Sequence, residues 1–197
     1  MRRHTLGFTL LELMLTIMLA SLVMAVGVPS FKEFRRNTRL TSAANEFLGA
    51  AFAARSEALK RQTPIAVCGS DDPTSGGAAC NGGTFTGWIV FVDANNDCLR
   101  QAGEPVIRAQ PTLDATVTPS ADGNCLSFNL NGFRQLIPGR TAVGHALFCD
   151  ERGNTALDGG DLAAPRGVEI QPTGRGRISR SHAELSAWTG AFGVACP

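Results

Sequence analysis

The chain opens with a short basic segment, Met1-Arg2-Arg3-His4-Thr5-Leu6-Gly7, and then turns almost wholly apolar: from Phe8 to Phe31 the only charge is Glu12. At about 1.5 Å per residue this stretch makes a helix of roughly 36 Å, enough to cross a bilayer core. The positive leader predicts a cytoplasmic start and an extracytoplasmic remainder. Pro29 lacks a backbone N–H and predicts a bend near the membrane exit. Further on, Leu40, Ala43, Ala44, Phe47, Ala51, Ala54 and Ala58 recur at spacings of three and four, with Asn45, Gly49, Ser56 and Lys60 opposite. Residues 30–61 therefore read as a continuing amphipathic helix with one stripe to bury. Phe52 and Leu59 lie off that stripe, as a second packing face or as exposed side chains.

After Gln62 the pattern changes to short β-rich runs divided by turn residues: Ile65–Cys68, Trp88–Val92, Val106–Ala109, Cys125–Leu130, Phe133–Ile137, Ala146–Cys149 and Val168–Gln171. Helix followed by strands predicts an α+β body in which the apolar stripe packs on an antiparallel sheet. Ser70 to Gly77 and Asp158-Gly159-Gly160-Asp161 read as loops. The expected organisation is a leader at 1–7, a hydrophobic helix at 8–29, an amphipathic helix at 30–61, and a β-rich domain at 62–197 ending in a basic tail.

Length and composition fit that plan. The chain has 197 residues, 44% hydrophobic and 18% charged, which suits one domain with an appendage. Net charge is +1, which excludes a nucleic-acid binder relying on overall basicity and leaves a local patch. Residues 62–165 carry 5 Lys/Arg against 11 Asp/Glu, whereas 166–197 carry 4 against 2. In the tail Arg175, Arg177 and Arg180 lie within six residues, with His182 close behind. Guanidinium groups pair bidentately with phosphates, and the flanking glycines allow close backbone approach. An exposed arginine-rich turn is equally an ordinary solvated surface. Near the membrane exit Lys32, Arg35, Arg36 and Arg39 form a basic collar, either against lipid headgroups or as a solvated helix face.

Three readings compete for the N-terminal segment. A cleaved secretory signal needs a small-x-small site, and Ala20-Ser21-Leu22 matches only loosely. A plain anchor leaves Glu12 unexplained, because a carboxylate in hydrocarbon costs about 2.5–3.5 kcal/mol. The third rests on Gly7-Phe8-Thr9-Leu10-Leu11-Glu12-Leu13, which closely resembles the leader of type IV pilins and pseudopilins. That resemblance implies cleavage between Gly7 and Phe8 by a prepilin peptidase, methylation of the new Phe8 amine, and a role for Glu12 in filament assembly. A neighbouring subunit's amino terminus would supply the cation that makes a buried carboxylate tolerable.

Ala54-Arg55-Ser56-Glu57-Ala58, Val67-Cys68, Gly87-Trp88-Ile89-Val90-Phe91-Val92-Asp93 and Gly174-Arg175-Gly176-Arg177 extend the resemblance to the FimT/GspH family of minor pilins and pseudopilins. It implies a pilin-like α+β fold, a subunit of the inner membrane and then of a surface pilus, and other pilin subunits as partners. In FimT-type minor pilins a C-terminal Gly-Arg-x-Arg motif is associated with DNA capture during natural transformation. Gly174, Arg175 and Arg177 fill its positions, with Arg180 beside them, and double-stranded DNA becomes an expected partner. So few phosphate contacts imply weak, sequence-independent, salt-sensitive binding. The alternative is a GspH-like pseudopilin of a type II secretion system, or an assembly subunit that binds no DNA.

Other chemistry is poorly supported. Asp93, Asn95, Asp97 and Glu104 fall at positions one, three, five and twelve of an EF-hand-like loop, but Cys98 replaces the glycine of the sharp turn, and a strand-like run precedes it. A polar hairpin loop is the expected outcome. His145 and Cys149 have helical ligand spacing but sit in a predicted strand, which favours a core or disulfide role. Catalytic motifs are absent from the sequence, so neither an enzyme nor a cofactor is expected. Cys68, Cys80, Cys98, Cys125, Cys149 and Cys196 include no Cys-x-x-Cys pair, which disfavours zinc, and export favours disulfides. Six cysteines allow fifteen pairings; the expected set joins Cys68 to Cys80, Cys98 to Cys125 and Cys149 to Cys196.

Overall fold

The computed structural model describes residues 8–157 and 159–196. It contains two compact units, Met1–Thr38 and Arg39–Pro197, whose boundary falls inside the first helix. That helix, α1, spans Leu10–Arg61 and continues through Pro29. Where Pro29 interrupts the hydrogen-bond ladder, the Ser30 hydroxyl donates to the Val26 carbonyl at 3.3 Å. In the first unit the apolar side chains from Leu10 to Phe34 are exposed along the helix, which is long and apolar enough to cross a membrane.

In the second unit the predicted stripe is the buried one: Leu40, Ala43, Ala44, Phe47, Ala51, Ala54 and Ala58, joined by Ala50. The helix ends where Gln62 adopts φ 52° and its N–H bonds to the Ala58 carbonyl at 3.0 Å. Pro64 follows, and cannot continue a helix.

The stripe is covered by two antiparallel sheets, not one. The first runs β3 (Val106–Gln110), β2 (Trp88–Val92), β1 (Ile65–Gly69), β5 (Leu126–Phe128), β6 (Arg134–Gln135). The second runs β4 (Thr118–Ala121), β7 (His145–Cys149), β8 (Leu162–Ile170), β9 (Gly176–Ser181). Phe47 joins them from α1: its ring lies edge-on to Trp88 of the first sheet at 5.4 Å and tilted against Phe148 of the second at 5.8 Å.

Every residue of β1 is buried, because both of its faces are covered. Ile65 and Val67 face the α1 core, whereas Ala66 and Cys68 pack with Ile89, Phe91, Cys98 and Cys125 on the opposite face. Cys68–Cys80 and Cys98–Cys125 hold the long loops over that second face. The second sheet is likewise covered by a short helix, α2 (His182–Phe192), through Leu185 and Trp188, with Cys149–Cys196 fixing the chain beyond it. All three disulfides follow the pairing expected from the sequence.

Candidate functional site

Two regions carry chemistry. The first is the start of α1. Thr9 accepts from the Glu12 N–H at 3.2 Å through its hydroxyl, which fixes the first helical turn. Glu12 sits in that turn, where the helix dipole favours an anion. It is exposed, makes no ion pair among the described residues, and stands in a field of exposed Phe8, Leu10, Leu11 and Leu13. Burying a lone charged carboxylate on such a surface is costly, and a cation brought to it offsets that cost. Gly7, the residue expected to precede the cleaved bond, lies outside the described residues.

The second region is the arginine-rich tail, which is not a tail. Residues 176–181 form β9, and a tight turn joins it to β8. The Gly174 N–H donates to the Gln171 carbonyl and the Gln171 N–H to the Arg175 carbonyl, each at 2.8 Å. Pro172 presets the turn, and Gly174 takes φ 75°, a left-handed conformation that costs glycine least. The three arginines therefore have three surroundings. Arg175 is exposed at the turn and makes no ion pair among the described residues. Arg177 is held between two carboxylates: its Nε donates to Glu169 at 2.6 Å, and its other nitrogens to Glu184 of α2. Arg180 is exposed on β9, without an ion pair among the described residues.

The Arg177 hydrogen bond, helped by one from Ser179, holds the Glu184 carboxyl below the usual carboxylate range. Glu184 in turn raises Arg177. Arg177 is thus a clamp between β9 and α2, and its charge is answered inside the molecule. Arg55 adds a cation that the motif does not show: from α1, its Nη1 donates to the Gly174 carbonyl at 3.3 Å. One further arginine, Arg166, is almost fully buried, donating to the carbonyls of Ala163, Ala164 and Pro165 and to Thr41. Burial, the largest cause, pushes it down to about 10, helped by the nearby charge of Arg180.

The competing constellations resolve into structural roles. Asp93 is fully buried and accepts from the N–H groups of Asp97 and Cys98 at 3.0 Å each. Glu104 accepts from Ala94 and Gln101 at 2.9 Å each. Asp97 is engaged by Asn95, Leu99 and Gln101. These carboxylates bind their own loop's donors, and desolvation raises Asp93 despite its two backbone partners. His145 bonds Asp122 through Nδ1 at 2.8 Å and stacks on Phe192 at 3.9 Å, while Cys149 is in a disulfide. Among the described residues no group of three metal-ligating side chains converges.

The hydrophobic pattern of the sequence does not announce β4, β9 or α2; Glu169 and Glu184 are visible in it as the acids flanking the arginines, but not their pairing with Arg177. A signal was present: Ser181-His182-Ala183-Glu184 is a capping-box pattern, and Gly193 ends the helix in a left-handed conformation.

An apolar helix bearing one acid in its first turn and continuing into the core of a helix-and-sheet body is a pilin-type arrangement. The chain matches the prokaryotic N-terminal methylation motif over residues 2–28, and the type II transport protein GspH family over residues 43–174. It belongs to the GspH family, and so to the minor pilins and pseudopilins. Its structure is similar to two crystal forms of the type IV minor pilin FimU of Pseudomonas aeruginosa. One matches at 21% identity and a TM-score of 0.47, covering 74% of this chain and 92% of FimU. The other matches at 20% identity and 0.44, covering 71% and 92%. No curated protein matches the chain.

Proposed function

We propose that this chain is a minor type IV pilin of the inner membrane that is cut between Gly7 and Phe8, methylated at Phe8, and built into a surface pilus with its body outside the cytoplasm. In the filament Glu12 is neutralised by a neighbouring subunit's amino terminus. Its work is structural and binding, not catalytic. The pilus-borne body binds DNA for uptake in natural transformation. The observation that carries this last step is Arg175, exposed at the β8–β9 turn, with Arg55 bonded to the carbonyl of the preceding Gly174 and neither in an ion pair among the described residues.

In this reading the arginines of the motif have unequal roles. Phosphate contact falls to Arg175, with Arg180 as a second point along β9, while Gly174 shapes the turn and Arg177 braces it. For the full-length protein in detergent, Arg175→Ala should weaken binding of a short duplex and lower the slope of log affinity against log salt by about 0.9. Arg177→Ala should leave that slope unchanged. Wild-type protein that fails to bind DNA at low salt would favour the second reading, a GspH-like pseudopilin of a type II secretion system. The internal neutralisation of Arg177 is the feature that supports this rival.

A further inference from the structure

The turn that carries Arg175 does not stand alone. It is pressed backbone to backbone against the β5–β6 turn of the other sheet. The Arg134 N–H donates to the Pro172 carbonyl at 3.0 Å. A Cβ placed on Gly174 would lie 2.3 Å from the Gly132 carbonyl oxygen, so the approach depends on glycine. The β5–β6 turn is itself fixed by Asn129, whose side-chain oxygen accepts from the N–H groups of Asn131 and Phe133, each at 3.0 Å. Arg55 runs along the seam: a Cβ on either Gly132 or Gly174 would meet its Nε at 3.1 Å. That Nε is buried without a hydrogen-bond partner.

Around this cationic seam the surface is apolar. Leu59 touches the Gly132 turn, its Cδ1 lying 3.2 Å from where a Cβ would stand. Phe52 lies two helical turns before Leu59 on the same face of α1, and Leu130 and Phe133 flank the turn. All four are exposed, Phe133 the most at 50%. Exposed apolar side chains gathered on one helix face and the turn packed against it mark a candidate interaction site.

The chemistry of the occupant follows from the mixture. A neutral apolar protein face would bury Arg55 and Arg175 without a counter-charge. A DNA duplex would supply phosphates, but it stacks its base faces inward and leaves the four apolar side chains nothing to cover. An unpaired strand supplies phosphates and flat apolar faces together. We infer that this patch takes single-stranded DNA, with Phe133 stacking on a base and Arg175 and Arg55 holding the flanking phosphates. The inference rests on the DNA-binding reading above and narrows it to unpaired strands or frayed ends.

The test compares a thirty-nucleotide oligo(dT) with a duplex of equal length on the full-length protein in detergent at low salt. The single strand should bind at least fivefold more tightly. Phe133→Ala should lower single-strand affinity about tenfold and duplex affinity less than twofold, and Phe133→Trp, which keeps a stacking ring, should restore it. Arg175→Ala should weaken both forms. Equal affinity for the two forms, or equal loss on Phe133→Ala, overturns the inference and leaves the DNA reading standing if Arg175→Ala still weakens binding. Failure to bind either form removes both. A Phe133→Ala protein that binds oligo(dT) normally but no longer enters filaments assigns the patch to subunit packing, and overturns the inference too.

Discussion

Two residues apart, Arg175 and Arg177 do different work, and the difference lies in their neighbours. Arg175 follows a left-handed glycine at a turn and meets solvent; Arg177 points at Glu169 and Glu184. Its removal leaves Glu184, part-buried, without its main counter-charge. Arg177→Ala should therefore destabilise the fold by about 1 kcal/mol after allowance for solvent screening, whereas Arg175→Ala should change stability by less than about 0.5 kcal/mol. Thermal unfolding of the two variants checks this. The pH dependence has a definite sign. Because Arg177 and Ser179 hold Glu184 below its ordinary range, its contribution is complete above the unfolded carboxylate value near 4.3 and disappears as pH falls through the depressed native value. Wild type should lose stability more steeply than Arg177→Ala on acidification below about pH 4.5.

At the level of elements, the helix and its stripe were legible because the 3.6-residue period survives over many turns. All eight buried positions of α1 fall on that face, seven of them anticipated. The strands were legible where β-branched and aromatic residues run together, as in Trp88–Val92. They were lost where polar residues fill the strand: β9 reads Gly-Arg-Ile-Ser-Arg-Ser, with only Ile178 and Ser179 turned inward enough to matter. The division into two sheets could not be seen, since it depends on which distant strands pair, and no local pattern encodes that. α2 was hidden by a short, weak apolar face, although its cap residues were in view. Its docking depends on Gly167, where a Cβ would lie 2.4 Å from Leu185 Cδ2 and 2.5 Å from Trp188 Cζ3. Gly167→Ala should cost about 1–3 kcal/mol and lower the melting temperature by several degrees. An unchanged melting temperature would mean that α2 sits less closely on β8 than described here.

At the scale of the whole molecule, the chain divides between a surface that cannot remain exposed to water and a body that can. From Leu10 to Phe31 the helix offers apolar side chains, and Glu12 is the one acid among them, which lipid alone does not satisfy. The body closes its own accounts with three disulfides, two covered sheet faces, and loop carboxylates that bind their own N–H donors. What the sequence could convey about the candidate site was its cations; their unequal roles depend on Glu169, Glu184, Arg55 and Gly132, brought in from β8, α2, α1 and the β5–β6 turn. Assembly through a processed amino terminus is the claim on which the proposed function stands. Mass spectrometry of pili sheared from the native host tests it directly. The expected result is this chain in the fibre fraction, beginning at an N-methylated Phe8 without residues 1–7. A chain that retains Met1 to Gly7 in mature fibres, or that is missing from them altogether, would contradict it.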